Sequence, residues 1–173
     1  MFKSKFIELF VIILLFLGSL YLVEVSPIGA GAVASRNGGY GTFDMKKYDY
    51  NTVCRVLSSM DKACRKAYVG YYIVDYIFII FFGLFQGYVL YLLYISMGTK
   101  IVYMAELIPL LRGLFDIVEN ALLLKTVLSY PKLSELAVNA ASLCTSWKLF
   151  TIKIWVVEIV AGILLMIVRR IIK

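Results

Sequence analysis

The chain has 173 residues, of which 62% are hydrophobic, and its mean hydropathy is +0.87. A soluble domain of this size cannot bury so large an apolar surface, so the composition predicts an integral membrane protein. There is no histidine and cysteine occurs only at Cys54, Cys64 and Cys144, so the usual Cys/His zinc centres and CxxC redox pairs are excluded. We expect no metal and no other cofactor. We attribute the net charge of +7 to contact with anionic lipid headgroups rather than with nucleic acid.

Four apolar stretches of membrane-spanning length follow one another, at residues 6–23, 68–94, 101–127 and 147–168. A helix of about 20 apolar residues crosses roughly 30 Å of hydrocarbon. The stretches therefore predict one all-α transmembrane domain over residues 1–173, built as a four-helix bundle. With four crossings both termini share a side, named side A here, and the first and third loops share the opposite side B.

The first span follows a short basic lead and precedes a tract of small residues. This outline also fits a cleaved signal peptide, because residues 32–34 match the small-x-small cleavage pattern. That pattern lies well beyond the apolar run, so a retained first helix is favoured. Residues 29–34 also match the letters GxGxxA of a dinucleotide-binding turn, but no strand precedes them. We expect a flexible loop there.

Residues 49–67 have the pattern of an amphipathic helix. The apolar positions recur at helical spacing: Val53, Val56, Leu57, Met60, Cys64 and Ala67. The opposite side is basic and is expected to contact anionic lipid headgroups through Arg55, Lys62, Arg65 and Lys66. We expect one interfacial helix lying flat on the membrane surface. The alternative is an extramembrane helix packed on the end of the bundle.

The second span carries Asp75 and Gln86 within an aromatic-rich apolar run. It also contains Gly83 and Gly87, a GxxxG spacing that lets another helix approach closely. We expect this pair to serve helix packing, either within the bundle or between chains.

The third span holds four polar residues in its middle: Arg112, Asp116, Glu119 and Asn120. At about 100° per residue, their spacing of three and four places all of them on one side of the helix. Near a helix centre Arg and Asp each cost about 2.5–3.5 kcal/mol to insert, so these groups must find partners inside the protein.

In the fourth span, polar and small residues follow one another at three- and four-residue steps: Lys148, Thr151, Trp155, Glu158 and Gly162. Counting depth at about 1.5 Å per residue puts Lys148 and Thr151 level with Asp75 and the acids of the third span. We therefore predict one buried polar cluster, with Glu158 and Gln86 as secondary candidates. The cluster comprises Asp75, Arg112, Asp116, Glu119, Asn120, Lys148 and Thr151. Three acids face two cations in it, so one acid should hold a proton or bind a cation.

Basic residues flank the spans on both sides of the membrane, so the positive-inside rule gives no clear orientation. We expect the termini to be cytoplasmic, because a signal-like first helix usually dominates the choice.

Five short strings resemble a group of small four-span membrane proteins to which no function is assigned. They are RKAY at 65–68 followed by Asp75, IP at 108–109, FDIVEN at 115–120, SYP at 129–131 and TSWK at 145–148. The length and the number of spans are similar to those of the emopamil-binding and sigma-2 receptor family, a similarity of topology alone. The resemblance implies a four-span membrane fold and assigns no activity.

Three functions fit these observations, and no catalytic residue is assigned. The favoured one is a structural or interaction protein, with a second copy or another membrane protein as partner. The second is an oligomeric ion- or proton-coupled transporter, with Glu119 or Asp116 as the exchanging carboxylate, Asn120 and Thr151 as ligands and Lys148 as counter-ion. The third is a membrane-embedded lipid or sterol enzyme, which would need a cavity lined by Tyr71, Tyr72, Asp75 and Glu119.

Overall fold

The computed structural model describes residues 2–172, with side chains from residue 5 onward, and over that range the chain is helical without strands. The all-α class is therefore confirmed. The helices are α1 (Phe2–Glu24), α2 (Ala30–Ala34), α3 (Tyr50–Ser59), α4 (Lys62–Tyr94), α5 (Thr99–Ser129) and α6 (Glu135–Ile172). A short 3-10 turn at Ile95–Met97 joins α4 to α5.

Three of the helical stretches are long and apolar enough to cross a membrane: Lys5–Glu24, Lys62–Met97 and Glu135–Ile172. They match three of the four predicted spans. The third predicted span lies within α5, a helix of 31 residues, but its centre carries Arg112, Asp116 and Glu119. These charges keep α5 below the apolarity of the other three, so its crossing stays a prediction.

The long helices pack through aromatic and small side chains. α5 contacts both α4 and α6, while α1 packs on α4. Phe16 of α1 stacks on Phe85 and Phe82 of α4, with ring centroids 4.7 and 5.3 Å away. Between α4 and α6, Trp155 donates from Nε1 to the Gln86 carbonyl at 3.3 Å. These contacts hold α4 at the centre of the molecule.

The segment between α1 and α4 forms an ordered cap on the side B end of the helices. The expectation of a flexible loop at residues 29–34 is wrong, because α2 forms there and Val33 is fully buried. The Asn37 side chain closes the following turn by accepting from Gly41 N at 3.1 Å and donating to Gly41 O at 2.7 Å. Gly41 has φ +81°, a backbone conformation that favours glycine. The cap is held by buried apolar side chains, among them Phe43.

The predicted single helix over residues 49–67 is also wrong. Met60 is extended, and Asp61 caps a new helix by accepting from Cys64 N at 2.6 Å. An aspartate is a strong helix N-cap, so it starts α4 at Lys62 rather than continuing α3. The apolar face of α3, including Val53 and Leu57, is fully buried against protein. The alternative, a helix packed on the end of the bundle, describes α3 better than one lying in the headgroups.

A tight helix contact predicts that Gly162→Leu destabilises the protein. A Cβ at Gly162 would lie 3.1 Å from Leu93 Cβ and 3.3 Å from Tyr94 Cζ, so a larger side chain must push α6 away from α4. Such overpacking costs about 1–3 kcal/mol. The measurement is the melting temperature in mild detergent. Gly18→Leu on α1 is the matched control, because nothing lies within 4 Å of a Cβ there. Equal melting temperatures for the two variants would contradict this packing.

Candidate functional site

The polar stripe of α5 is buried, and each of its members has a partner. Arg112, Asp116, Glu119 and Asn120 are at most 2% exposed. Arg112 donates from Nη2 to Asp116 Oδ2 one turn further along the helix. Its guanidinium also lies 4.4 Å from the ring centroid of Phe82, a cation–π contact with α4. Aromatic and carboxylate partners together make the buried position of Arg112 tolerable.

Lys148 of α6 lies at the centre of the cluster. Its Nζ is 2.7 Å from Glu119 Oε2 and donates to Asp116 Oδ1 at 3.0 Å. A third carboxylate, that of Asp44, is 3.8 Å away. The Lys148 side chain is only 4% exposed, so these acids rather than water compensate its charge. One lysine thus connects α5, α6 and the side B cap.

Asp44 was missed by the sequence prediction, which placed no site residue in the first loop. The Tyr71 hydroxyl of α4 donates to Asp44 Oδ2 at 2.7 Å, and Asp44 is 5% exposed. The sequence around Asp44 has no helical or strand period that could have predicted its depth. Its place follows from the folding of the cap, in which Phe43 packs against Tyr68.

Thr145 and Tyr48 extend the cluster on the other side of Glu119. The Thr145 hydroxyl donates to Glu119 Oε1 and lies 3.4 Å from the Tyr48 hydroxyl. Tyr48 belongs to the cap, where burial raises the pKa of its hydroxyl and keeps it protonated. Its carbonyl accepts from the Ser142 hydroxyl at 2.5 Å. The cap is therefore joined to α6 by hydrogen bonds as well as by the Asp44 charge.

Asp75 of α4 joins the cluster through Asn120. The Asn120 amide donates from Nδ2 to Asp75 Oδ2 at 2.6 Å, and both side chains are buried. The expected meeting of Asp75 with the polar face of α5 is therefore present. No lysine or arginine of the described residues lies within salt-bridge distance of this carboxylate.

Thr151 is buried next to the cluster, but its hydroxyl does not bond to the charged side chains as expected. Its hydroxyl donates to backbone carbonyls of its own helix, with the Lys148 carbonyl 2.8 Å away. Serine and threonine hydroxyls in helices often bond back to the preceding turn. Thr145, two turns earlier, makes the side-chain contact instead.

The secondary candidates Gln86 and Glu158 lie nearer side A, where their backbone carbonyls hold α4 and α6 together. The Glu158 carbonyl accepts from the Tyr94 hydroxyl at 2.6 Å. Gln86 is fully buried, and its side-chain amide has no hydrogen-bond partner in the described part of the chain.

Gly83 and Gly87 do not pack against a helix of the same chain, contrary to one of the two expectations for this pair. Apart from the adjoining residues and backbone of α4 itself, no heavy atom of residues 5–172 lies within 4 Å of a Cβ built at either. They line a groove of about 790 Å³ between α1, α4 and α5. None of Tyr71, Tyr72 and Asp75 lines this groove, which is not the cavity that the enzyme hypothesis requires.

The charge of the cluster is more negative than the sequence indicated. Four carboxylates, Asp44, Asp75, Asp116 and Glu119, face the two cations Arg112 and Lys148. Asp44 raises the excess of acids from one to two. In the described residues no group of three or more acids, cysteines and histidines is arranged to hold a metal ion.

Comparison with known proteins adds no functional assignment. A scan against protein-family models, a search of curated proteins and a search of solved structures found no match. The resemblance to small four-span membrane proteins therefore stays a prediction.

The central position of Lys148 predicts that Lys148→Met destabilises the protein strongly. Removing the ammonium leaves the buried carboxylates of Asp44 and Glu119 without a cation and leaves Asp116 with Arg112 alone. Breaking a buried pair costs about 3–5 kcal/mol. Adding Glu119→Gln removes one uncompensated charge, so the double variant should recover part of this loss. The free energy of unfolding in detergent measures both.

The control is Lys153→Met, which removes an exposed lysine from the same helix. It should change the stability little. A Lys148→Met protein as stable as this control would contradict the role assigned to Lys148.

Proposed function

We propose that the protein is a multi-pass membrane protein that crosses the bilayer four times and acts as a structural or interaction protein. In this proposal α5 is the third crossing, the termini are cytoplasmic, and the charged cluster locks the helices in one register. The locked helices present a fixed surface to a second copy or to another membrane protein.

The observation that carries the proposal is the set of partners around Lys148. Its three carboxylates come from the cap and from two positions of α5, and all three are at least nine-tenths buried. If α5 shifted by one helical turn relative to α6, Lys148 would lose these acids and its charge would be uncompensated in hydrocarbon. The cluster therefore favours a single helix register, as buried polar groups do in some other proteins.

The cap adds a second part to the proposed lock. Arg65 is engaged by protein, because it donates to the Met60 carbonyl at 2.5 Å and lies 4.9 Å from the Tyr130 ring centroid. Arg55 of the cap and Lys62 and Lys66 in the first turns of α4 are exposed. These three cations support contact with anionic headgroups, while Arg65 has a structural role.

If Asp44 fastens the cap, Asp44→Ala should loosen it without unfolding the helices. The variant loses the hydrogen bond from Tyr71 and the attraction of Lys148. We expect trypsin to cleave after the exposed Lys47 at least about tenfold faster, since a buried charged hydrogen bond is worth about 1.5–3 kcal/mol.

The readout is the rate of appearance of the fragment in native detergent, with helix content followed by circular dichroism. Met45→Ala, at the exposed neighbouring position, is the control and should be cleaved at the wild-type rate. Unchanged cleavage in Asp44→Ala would show that the cap is held without the cluster.

A second candidate, the ion- or proton-coupled transporter, is favoured by the charge of the cluster. The cluster has two more carboxylates than cations, and among the described residues Asp75 accepts only from the neutral amide of Asn120. A buried excess of negative charge attracts a proton or a monovalent cation. Exchange of that ion between the two sides would be transport.

Reconstitution into liposomes separates the two candidates. If the protein is a structural or interaction protein, we expect no proton or sodium flux above that of protein-free liposomes. Coupled transport predicts a gradient-driven flux that is lost in Glu119→Gln and retained in Lys153→Met. A flux of that kind would favour coupled transport over the structural role as the proposed function.

A further inference from the structure

Outside the cluster, a groove lies between α1, α4 and α5. Its volume of about 790 Å³ lies in the range of roughly 300–1,000 Å³ that is usual for small-ligand sites. The walls are apolar side chains such as Ile12, Leu84 and Leu114. The groove lies in the side A half, away from the cap.

Missing side chains create this space. Gly83 and Gly87 of α4 lie one turn apart, and a Cβ at either would meet no atom within 4 Å. Opposite them, a Cβ at Gly113 of α5 would meet only Ile79 Cγ2, at 3.8 Å. A Cβ could be placed at Gly87 without a clash, so close packing does not require a glycine there and the space is available to an occupant.

The side A end of the groove is polar and carries both signs of charge. Glu8 and Glu106 line it together with Tyr88 and Tyr91. The Tyr88 hydroxyl lies 2.8 Å from Glu8 Oε2, and Lys5 Nζ lies 5.0 Å from the Tyr91 ring centroid. Glu106 is half-buried and has no hydrogen bond or ion pair with the described residues.

The depth of these groups corresponds to the headgroup boundary. Glu106 lies seven residues after the start of α5 at Thr99, which is about 10 Å along the helix at 1.5 Å per residue. The glycines and aliphatic walls continue from there toward the hydrocarbon centre. The groove therefore has a charged end at the membrane surface and an apolar body within the membrane.

We propose that the groove binds a phospholipid whose headgroup carries a primary ammonium group, of the phosphatidylethanolamine class. One acyl chain lies over Gly83, Gly87 and Gly113. The ammonium donates to Glu106, and the phosphate lies toward Lys5. The ammonium group supplies a positive charge to Glu106, and the phosphate supplies a negative charge to Lys5.

Charge complementarity selects this occupant over a helix of a second copy. A transmembrane helix is about 10–12 Å wide with its side chains, and its apolar face would cover Glu106 without supplying a cation. An anionic lipid such as phosphatidylglycerol would bring only its phosphate toward the two carboxylates. The ammonium lipid brings a positive charge to Glu106 as well as its phosphate.

Native mass spectrometry of the purified protein tests the proposal, with phosphatidylethanolamine and phosphatidylglycerol of identical acyl chains as probes. The wild type should retain the ammonium lipid at about tenfold lower concentration, the factor that one charge-assisted hydrogen bond supplies. Glu106→Gln should lose this preference while still retaining both lipids through the acyl chain.

Gly87→Leu should fill the groove and abolish retention of both lipids while leaving the melting temperature unchanged. Gly18→Leu on the exposed face of α1 is the matched control and should retain lipid as the wild type does. Equal retention of the two lipids by the wild type would overturn the proposal. Unchanged binding in Gly87→Leu, or a wild-type dimer that Gly87→Leu dissociates, would overturn it too.

Discussion

The ion pairs of Lys148 are the interaction on which the rest of the structure depends. Burying an ammonium group costs several kcal/mol unless acids surround it, and here three carboxylates lie within 4 Å of its Nζ. Two belong to α5 and one to the cap. Because the lysine can satisfy all of them in only one arrangement, it fixes the depth of α6 against α5 and the position of the cap over both helices.

The cap and the cluster depend on each other. Asp44 reaches Lys148 only because Phe43 packs among Tyr40, Tyr48 and Tyr68, which turns residues 40–48 inward. The same tyrosine side chains shield the cluster from the side B end. Low dielectric strengthens the ion pairs beneath them, so apolar packing of the cap and charge pairing in the helices reinforce each other.

Local rules in the sequence predict most of the cluster but not its cap. The four-residue spacing from Arg112 to Asn120 predicts one polar face of α5. The depth of Asp75 and Lys148 in the membrane, counted in residues along their helices, places them at the same level. Asp44 and Tyr48 follow no period, because their positions come from tertiary packing of a segment rich in glycine. The helix is interrupted at Met60 although the apolar stripe continues through it, because Asp61 acts as the N-cap of a new helix. Thr145 and Thr151 could not be separated by spacing alone, since both lie near Lys148.

The two ends of the molecule differ in a way that bears on function. At side B the cap covers a cluster with more acids than cations. Near side A the helices separate around a groove that is lined by glycines of α4 and α5. α5 joins the two, because Gly113 of the groove follows Arg112 of the cluster directly in the chain. The cluster and the groove are therefore built on one continuous helix, α5, with Arg112 facing the buried acids and Gly113 facing the groove.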